Sequence, residues 1–110
     1  MTLVALVSAV ALLTGTIHGT VMRGPIAPVC RIGVPCSAPA KHVTLSFTRR
    51  GSTRSTTTDN LGRYSIRLAA GVYAVKTNQR PFGTVPQPRT VRVPASRSTR
   101  VDFAIDTGIR

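Results

Sequence analysis

Tryptophan and glutamate are missing from this 110-residue chain, and only Lys41 and Lys76 are lysines. The whole acidic complement is Asp59, Asp102 and Asp106. Three carboxylates leave little material for acid–base catalysis. A Ser-His-Asp triad needs an oriented, buried acid, and nothing in the sequence sets His18 or His42 beside one. Cys30 and Cys36 are the only cysteines. With two distant histidines in the wrong order they make no zinc motif, so neither a metal nor a cofactor is expected. Aromatic residues are 5% of the chain, so the core must rest on Val, Ile and Leu. Phe47, Tyr64, Tyr73, Phe82 and Phe103 are its large pieces. The longest apolar run, Leu3 to Leu13, falls short of the roughly 20 residues that span a bilayer, so no stable membrane span is expected.

What is present is basic and apolar at once. Lys and Arg number 15 against 3 acids, a net charge of +12. Such a surface attracts polyanions without regard to sequence, and nucleic acid, anionic lipid headgroups and cell-wall phosphate polymers all qualify. The bland alternative is compositional: arginine standing where other polar residues would do. Hydrophobic residues at 42% and charged ones at 16% exclude disorder throughout. The length allows one domain.

Leu3 to Leu13 fits the apolar region of an export signal, although no Lys or Arg precedes it. Either the true start lies upstream or the signal is weak. Leu13-Thr14-Gly15-Thr16 has Thr where a lipidated Cys would be needed, which argues against a lipid anchor. The expected division is therefore 1–15 as a signal-like segment and 16–110 as the folded domain, secreted or held in the cell envelope.

Within the domain the pattern is one of short strands. Thr16 to Met22 alternates, with Ile17, Gly19 and Val21 on one face. Residues 23–39 carry four prolines and two glycines, which predicts an irregular loop. Cys30 and Cys36 lie in this loop, and in an exported protein they are expected to bridge and tether it. His42 to Arg49 reads as a strand with Val43, Leu45 and Phe47 inward. Thr53 to Thr58 is β-branched and polar, which suits an edge strand. Residues 79–88 form a second irregular loop with Phe82 near its middle, pinned to the core or exposed to a ligand. Two more strands are predicted at Thr90–Val93 and Thr99–Ile105.

The most informative stretch runs from Thr57 to Val75. Asp59, Asn60 and Gly62 supply turn chemistry. Tyr64, Ile66 and Leu68 then alternate with Arg63, Ser65 and Arg67 before Gly71 breaks the run and Tyr73 and Val75 resume it. It reads as a hairpin: turn, strand, turn, strand. Here Thr58, Asp59, Gly62, Tyr64, Gly71 and Tyr73 give the chain a resemblance to the carboxypeptidase regulatory-like domains. That resemblance implies a small secreted β-sandwich of prealbumin type. A loop closed by Cys-x5-Cys also recurs in similar bacterial domains, which supports the bridge. With about seven short strands at turn spacing, the expected fold is an all-β, antiparallel Greek-key sandwich.

Two enzyme families share the implied fold. Intradiol dioxygenases hold iron through two Tyr and two His, but both tyrosines here fall on inward strand positions. Hydroxyisourate hydrolases end in Tyr-Arg-Gly-Ser, and this chain ends Thr-Gly-Ile-Arg. The expectation is therefore a non-catalytic extracellular module with a structural or interaction role. The alternative is a module that binds carbohydrate or an anionic cell-wall polymer, which the fold's resemblance to carbohydrate-binding modules allows. The candidate anion-contact face comprises Arg63, Arg67, Arg92 and Arg100, provided that their strands are neighbours. Phe82 is the candidate ligand contact, and Asp59 and Gly62 are assigned to the turn. Specific nucleic-acid recognition is not expected, because the arginines are scattered and stacking aromatics are few.

Overall fold

The computed structural model describes residues 13–78 and 85–107. The apolar run up to residue 12, Phe82 and the last three residues lie outside the described residues. The described residues form nine strands: β1 (Thr14–Gly24), β2 (Ala38–Pro39), β3 (Thr44–Arg49), β4 (Ser52–Thr57), β5 (Arg63–Ala69), β6 (Gly71–Thr77), β7 (Thr90–Val93), β8 (Ser98–Arg100) and β9 (Phe103–Asp106). Among the described residues there is no helix, hence none that could cross a membrane.

The strands make two sheets packed as a sandwich. One is built on β1, with β5 and β2 along one side and β8 and β9 along the other. The second has the order β4-β3-β6-β7. Period-two alternation drives the packing: β5 reads exposed-buried throughout, with Tyr64, Ile66 and Leu68 inside. β3 does the same with Leu45 and Phe47, and β6 with Tyr73 and Val75. At the centre Phe47, Tyr64 and Phe103 meet from three strands, their ring centroids 5.6–6.3 Å apart in tilted arrangements that suit aromatic quadrupoles. The expected all-β sandwich is thus the fold observed, with Ile17, Val21, Val43, Leu45, Phe47 and Phe103 in its core.

Four details differ from the expectation. First, β5 and β6 are not a hairpin. β5 pairs with β1 in one sheet, and β6 pairs with β3 and β7 in the other. The chain crosses between layers at Ala70–Gly71, and the Tyr73 hydroxyl donates to the Ala69 carbonyl at 2.7 Å to hold this corner. Second, the last predicted strand is split into β8 and β9, and both run parallel to β1, so this sheet is mixed. Third, the loop after β1 is not wholly irregular: β1 runs on to Gly24, and Ala38–Pro39 pairs with its end. Fourth, β1 begins at Thr14, two residues before the expected start of the first strand, and Thr14 pairs with Ala69.

The split in the last strand has a local cause. β8 and β9 share one register against β1: His18 faces Arg100 and Val21 faces Phe103. In a regular parallel ladder at that offset the Thr20 N–H would go to the Val101 carbonyl. Instead it donates to Asp102 Oδ1 at 2.8 Å. The Val101 carbonyl accepts from the Tyr64 hydroxyl, in the core. Gly19 lies where β1 passes this carbonyl, and a β-carbon there would collide with it.

Candidate functional site

The six residues that carry the family resemblance are built into the scaffold. Thr58 is buried, its Oγ1 accepting from the Val43 N–H at 2.9 Å and donating to the Ala40 carbonyl at 2.5 Å. Asp59 Oδ1 accepts the N–H groups of Leu61 and Arg63, both at 2.9 Å. Those backbone bonds, Arg63's above all, together with the Arg63 guanidinium hold its carboxyl below the usual value. Gly62 has φ 75°, the left-handed region that glycine enters freely, and it passes close to the Val21 carbonyl. The Tyr64 phenol is pushed well above its ordinary value by burial, with the Asp102 carboxylate adding to the effect. It is a hydrogen-bond donor and stays neutral. Gly71 and Tyr73 form the corner between the sheets. These residues specify a fold, and both tyrosines spend their hydroxyls on backbone carbonyls.

The arginines divide into two groups. Arg63 and Arg67 point outward from β5 opposite Thr20 and Thr16 of β1, and Arg100 lies across β1 beside His18. Three of the four predicted positions therefore share one outer face. Arg92 does not. It is exposed on β7, between the inward Val91 and Val93, on the outer face of the opposite sheet. Only the sheet assignment decides this, because the alternation pattern is the same in both places.

The electrostatics of that face are partly satisfied from within. Arg63 Nε meets Asp59 Oδ2 at 3.0 Å. Arg100 Nε lies 3.2 Å from both oxygens of Asp102. The Thr20 N–H first, then Arg100 and His18, hold the Asp102 carboxyl below its ordinary value. Arg67 has no carboxylate partner among the described residues and donates from Nε to Thr14 Oγ1 at 3.3 Å. Between these groups is an open hollow of about 160 Å³ lined by His18, Gly19, Thr20, Arg63, Tyr64 and Arg100. It is smaller than the several hundred Å³ typical of an organic ligand's pocket. His18 and Thr20 were not singled out in the sequence; their outward alternation on β1 was the available signal.

The loop between β1 and β2 carries the expected disulfide. Cys30 and Cys36 are bonded, with their Cα atoms 5.5 Å apart. The Ile26 N–H donates to the Cys36 carbonyl at 2.8 Å, which closes the base of the loop. Among the described residues no three His, Cys, Asp or Glu side chains converge in a way that could hold a metal ion.

Fold and site together define a β-sandwich domain whose signature residues are structural. A family model confirms the grouping: the carboxypeptidase regulatory-like domain matches residues 16–106, and the chain belongs to that family. Domains of this family are generally non-catalytic. No curated protein sequence matches the chain significantly. Among solved structures, the Bacillus anthracis TIE protein is similar with a TM-score of 0.54 at 15% identity. The match covers 84% of this chain and only 16% of that one, and at this identity it concerns the fold alone.

Proposed function

We propose that the chain is a non-catalytic extracellular module with a structural or interaction role. The observation that carries this is the use made of its scarce chemistry. Asp59 and Asp102 hold backbone N–H groups, and Tyr64 and Tyr73 hold backbone carbonyls. The disulfide supports an oxidising compartment, since such bonds are rare in reducing cytosol. The test is intact-mass spectrometry of the protein from its native cell fraction, with thiol alkylation in the absence of reductant. Unreactive cysteines and a shortened N-terminus are expected. A full-length chain with two free thiols would overturn the extracellular assignment.

A second reading is favoured by one arrangement: Arg63, Arg67 and Arg100 on a single face beside His18. On this reading the face contacts an anionic cell-wall polymer. The glycan version of the reading rests on Phe82, which lies outside the described residues.

A further inference from the structure

The large apolar side chains that this sandwich leaves in water are concentrated at one end. Val29, Ile32 and Val34 are exposed in the disulfide loop, Ile32 completely, and Ile26 is partly so. Leu61, in the turn before β5, and Val85, ahead of β7, are also exposed. Sheet register places both near the same end. Gly62 lies against Val21 and Pro39, and Gln87 bridges to Ala104, which faces Met22. The other two exposed large apolar residues among those described, Leu13 and Val72, lie elsewhere.

Monomeric proteins rarely collect apolar side chains on a protruding loop unless something covers them. The loop contributes nothing to the core, whose members all lie outside residues 23–37. Yet it is held open. The Cys30–Cys36 bond and prolines 25, 28 and 35 restrain the backbone, and an open hollow of about 470 Å³ lies within the loop, lined by residues 27–31 and 34–36. The charges that accompany it have one predominant sign. Arg31 is the only charged residue within the loop, Arg23 and Lys41 flank it, and Arg89 follows Val85. The acids at this end are Asp59, already paired with Arg63, and Asp106 at the end of β9. Apolar tips with basic residues in and beside the loop match an anionic bilayer surface: the tips enter the acyl boundary and the basic groups meet phosphate.

We propose that this end of the sandwich, with the disulfide loop as its tip, docks peripherally onto an anionic lipid surface. The inference builds on the reading of an exported interaction module, but its test is separate from the thiol-alkylation test of export. Geometry adds a condition. The loop follows the last residue of β1, whereas the chain enters at Leu13, before the first. Eleven extended residues at roughly 3.3 Å each separate the two ends. The docking end therefore faces away from the chain's point of entry.

The experiment is vesicle co-sedimentation of the oxidised protein. One set of vesicles is phosphatidylglycerol and phosphatidylcholine in equal parts, and the other is phosphatidylcholine alone. Binding to the anionic set is expected, with a component that persists at high salt. Ile32→Asp and Val29→Asp should each weaken it by about tenfold, as expected for moving one aliphatic side chain out of an apolar phase. Val72→Asp, on the outer face of β6, should change it little, and melting curves establish that all three variants fold. Binding of Ile32→Asp equal to that of the parent would overturn the proposal, leaving only the arginine field. So would an absence of binding to anionic vesicles. A dimer in sedimentation analysis that Ile32→Asp dissociates would assign the loop to a second copy of the chain instead.

Discussion

Asp102 and Tyr64 act as one device. The carboxylate takes the Thr20 N–H that the Val101 carbonyl would otherwise receive, and the phenol takes the carbonyl. Replacing Asp102 by Ala should cost about 1 kcal/mol of stability at neutral pH, the usual net worth of such a hydrogen bond. The acid side follows from linkage. The carboxyl is held below 3.8 in the fold, so its contribution is complete above that pH and fades as pH falls through the lower folded value. Denaturant titrations at neutral and strongly acidic pH should therefore show the gap between parent and Asp102→Ala closing in acid; an unchanged gap would show that the carboxylate is not the acceptor. Tyr64 works at the other end of the scale. Its folded value is raised above the ordinary 10.0, so its contribution is intact below that pH and is lost as pH climbs through the folded value. Tyr64→Phe should be less stable at neutral pH by about 1 kcal/mol and should lose less stability than the parent on going to strongly alkaline solution. Unfolding curves in alkali check it, and parallel losses in both proteins would remove the phenol from the account.

At the scale of elements, the disulfide loop and the sandwich are separable. The Cys30–Cys36 bond spans 6 positions, and none of the loop's side chains is in the core. Closing so short a loop contributes about 2 kcal/mol at most in the chain-entropy view. Reduction should accordingly lower the melting temperature by several degrees while leaving the β-sheet circular dichroism signal of the folded state intact. Collapse of that signal at room temperature on reduction would mean that the loop braces the sheets. By contrast, β3 is central to its sheet, and Phe47 joins the aromatic cluster from there, so Phe47→Ala should cost about 3–5 kcal/mol by thermal melting. The alternation in β3 and the glycines and aspartate around β5 were readable in the chain, because local spacing and turn chemistry are local properties. That β5 and β6 part into different sheets was not readable. A two-residue corner and a tight hairpin turn use the same small residues, and only the partners available to each strand tell them apart.

For the molecule as a whole, charge is the dominant property, yet most of it is not gathered into one site. Two of the three arginines on the β5–β1–β8 face already have carboxylate partners, and such exposed pairs contribute little to stability and are screened by salt. Polyphosphate, used as a stand-in for an anionic wall polymer, should bind with an affinity that falls steeply with salt. If the shared face matters, Arg67→Glu should weaken this binding more than Arg92→Glu, since Arg92 stands on the other side of the sandwich. Equal effects of the two substitutions would assign polyanion binding to net charge alone.

The chain by itself determined the class of fold, most of the inward residues, the turn around Asp59 and Gly62, and, on the condition of export, which two cysteines would pair. Each depends on period-two alternation, on backbone preferences of single residues or on a count that permits one answer. Tertiary structure decided the rest. It ran β8 and β9 parallel to β1, separated Arg92 from the other three arginines and brought Leu61 and Val85 to the same end as the disulfide loop. The reason is physical: alternation says which side of a strand faces the core, but it does not say which strand lies alongside. Neighbours are chosen by the packing of the whole sandwich, and a surface site is a property of neighbours.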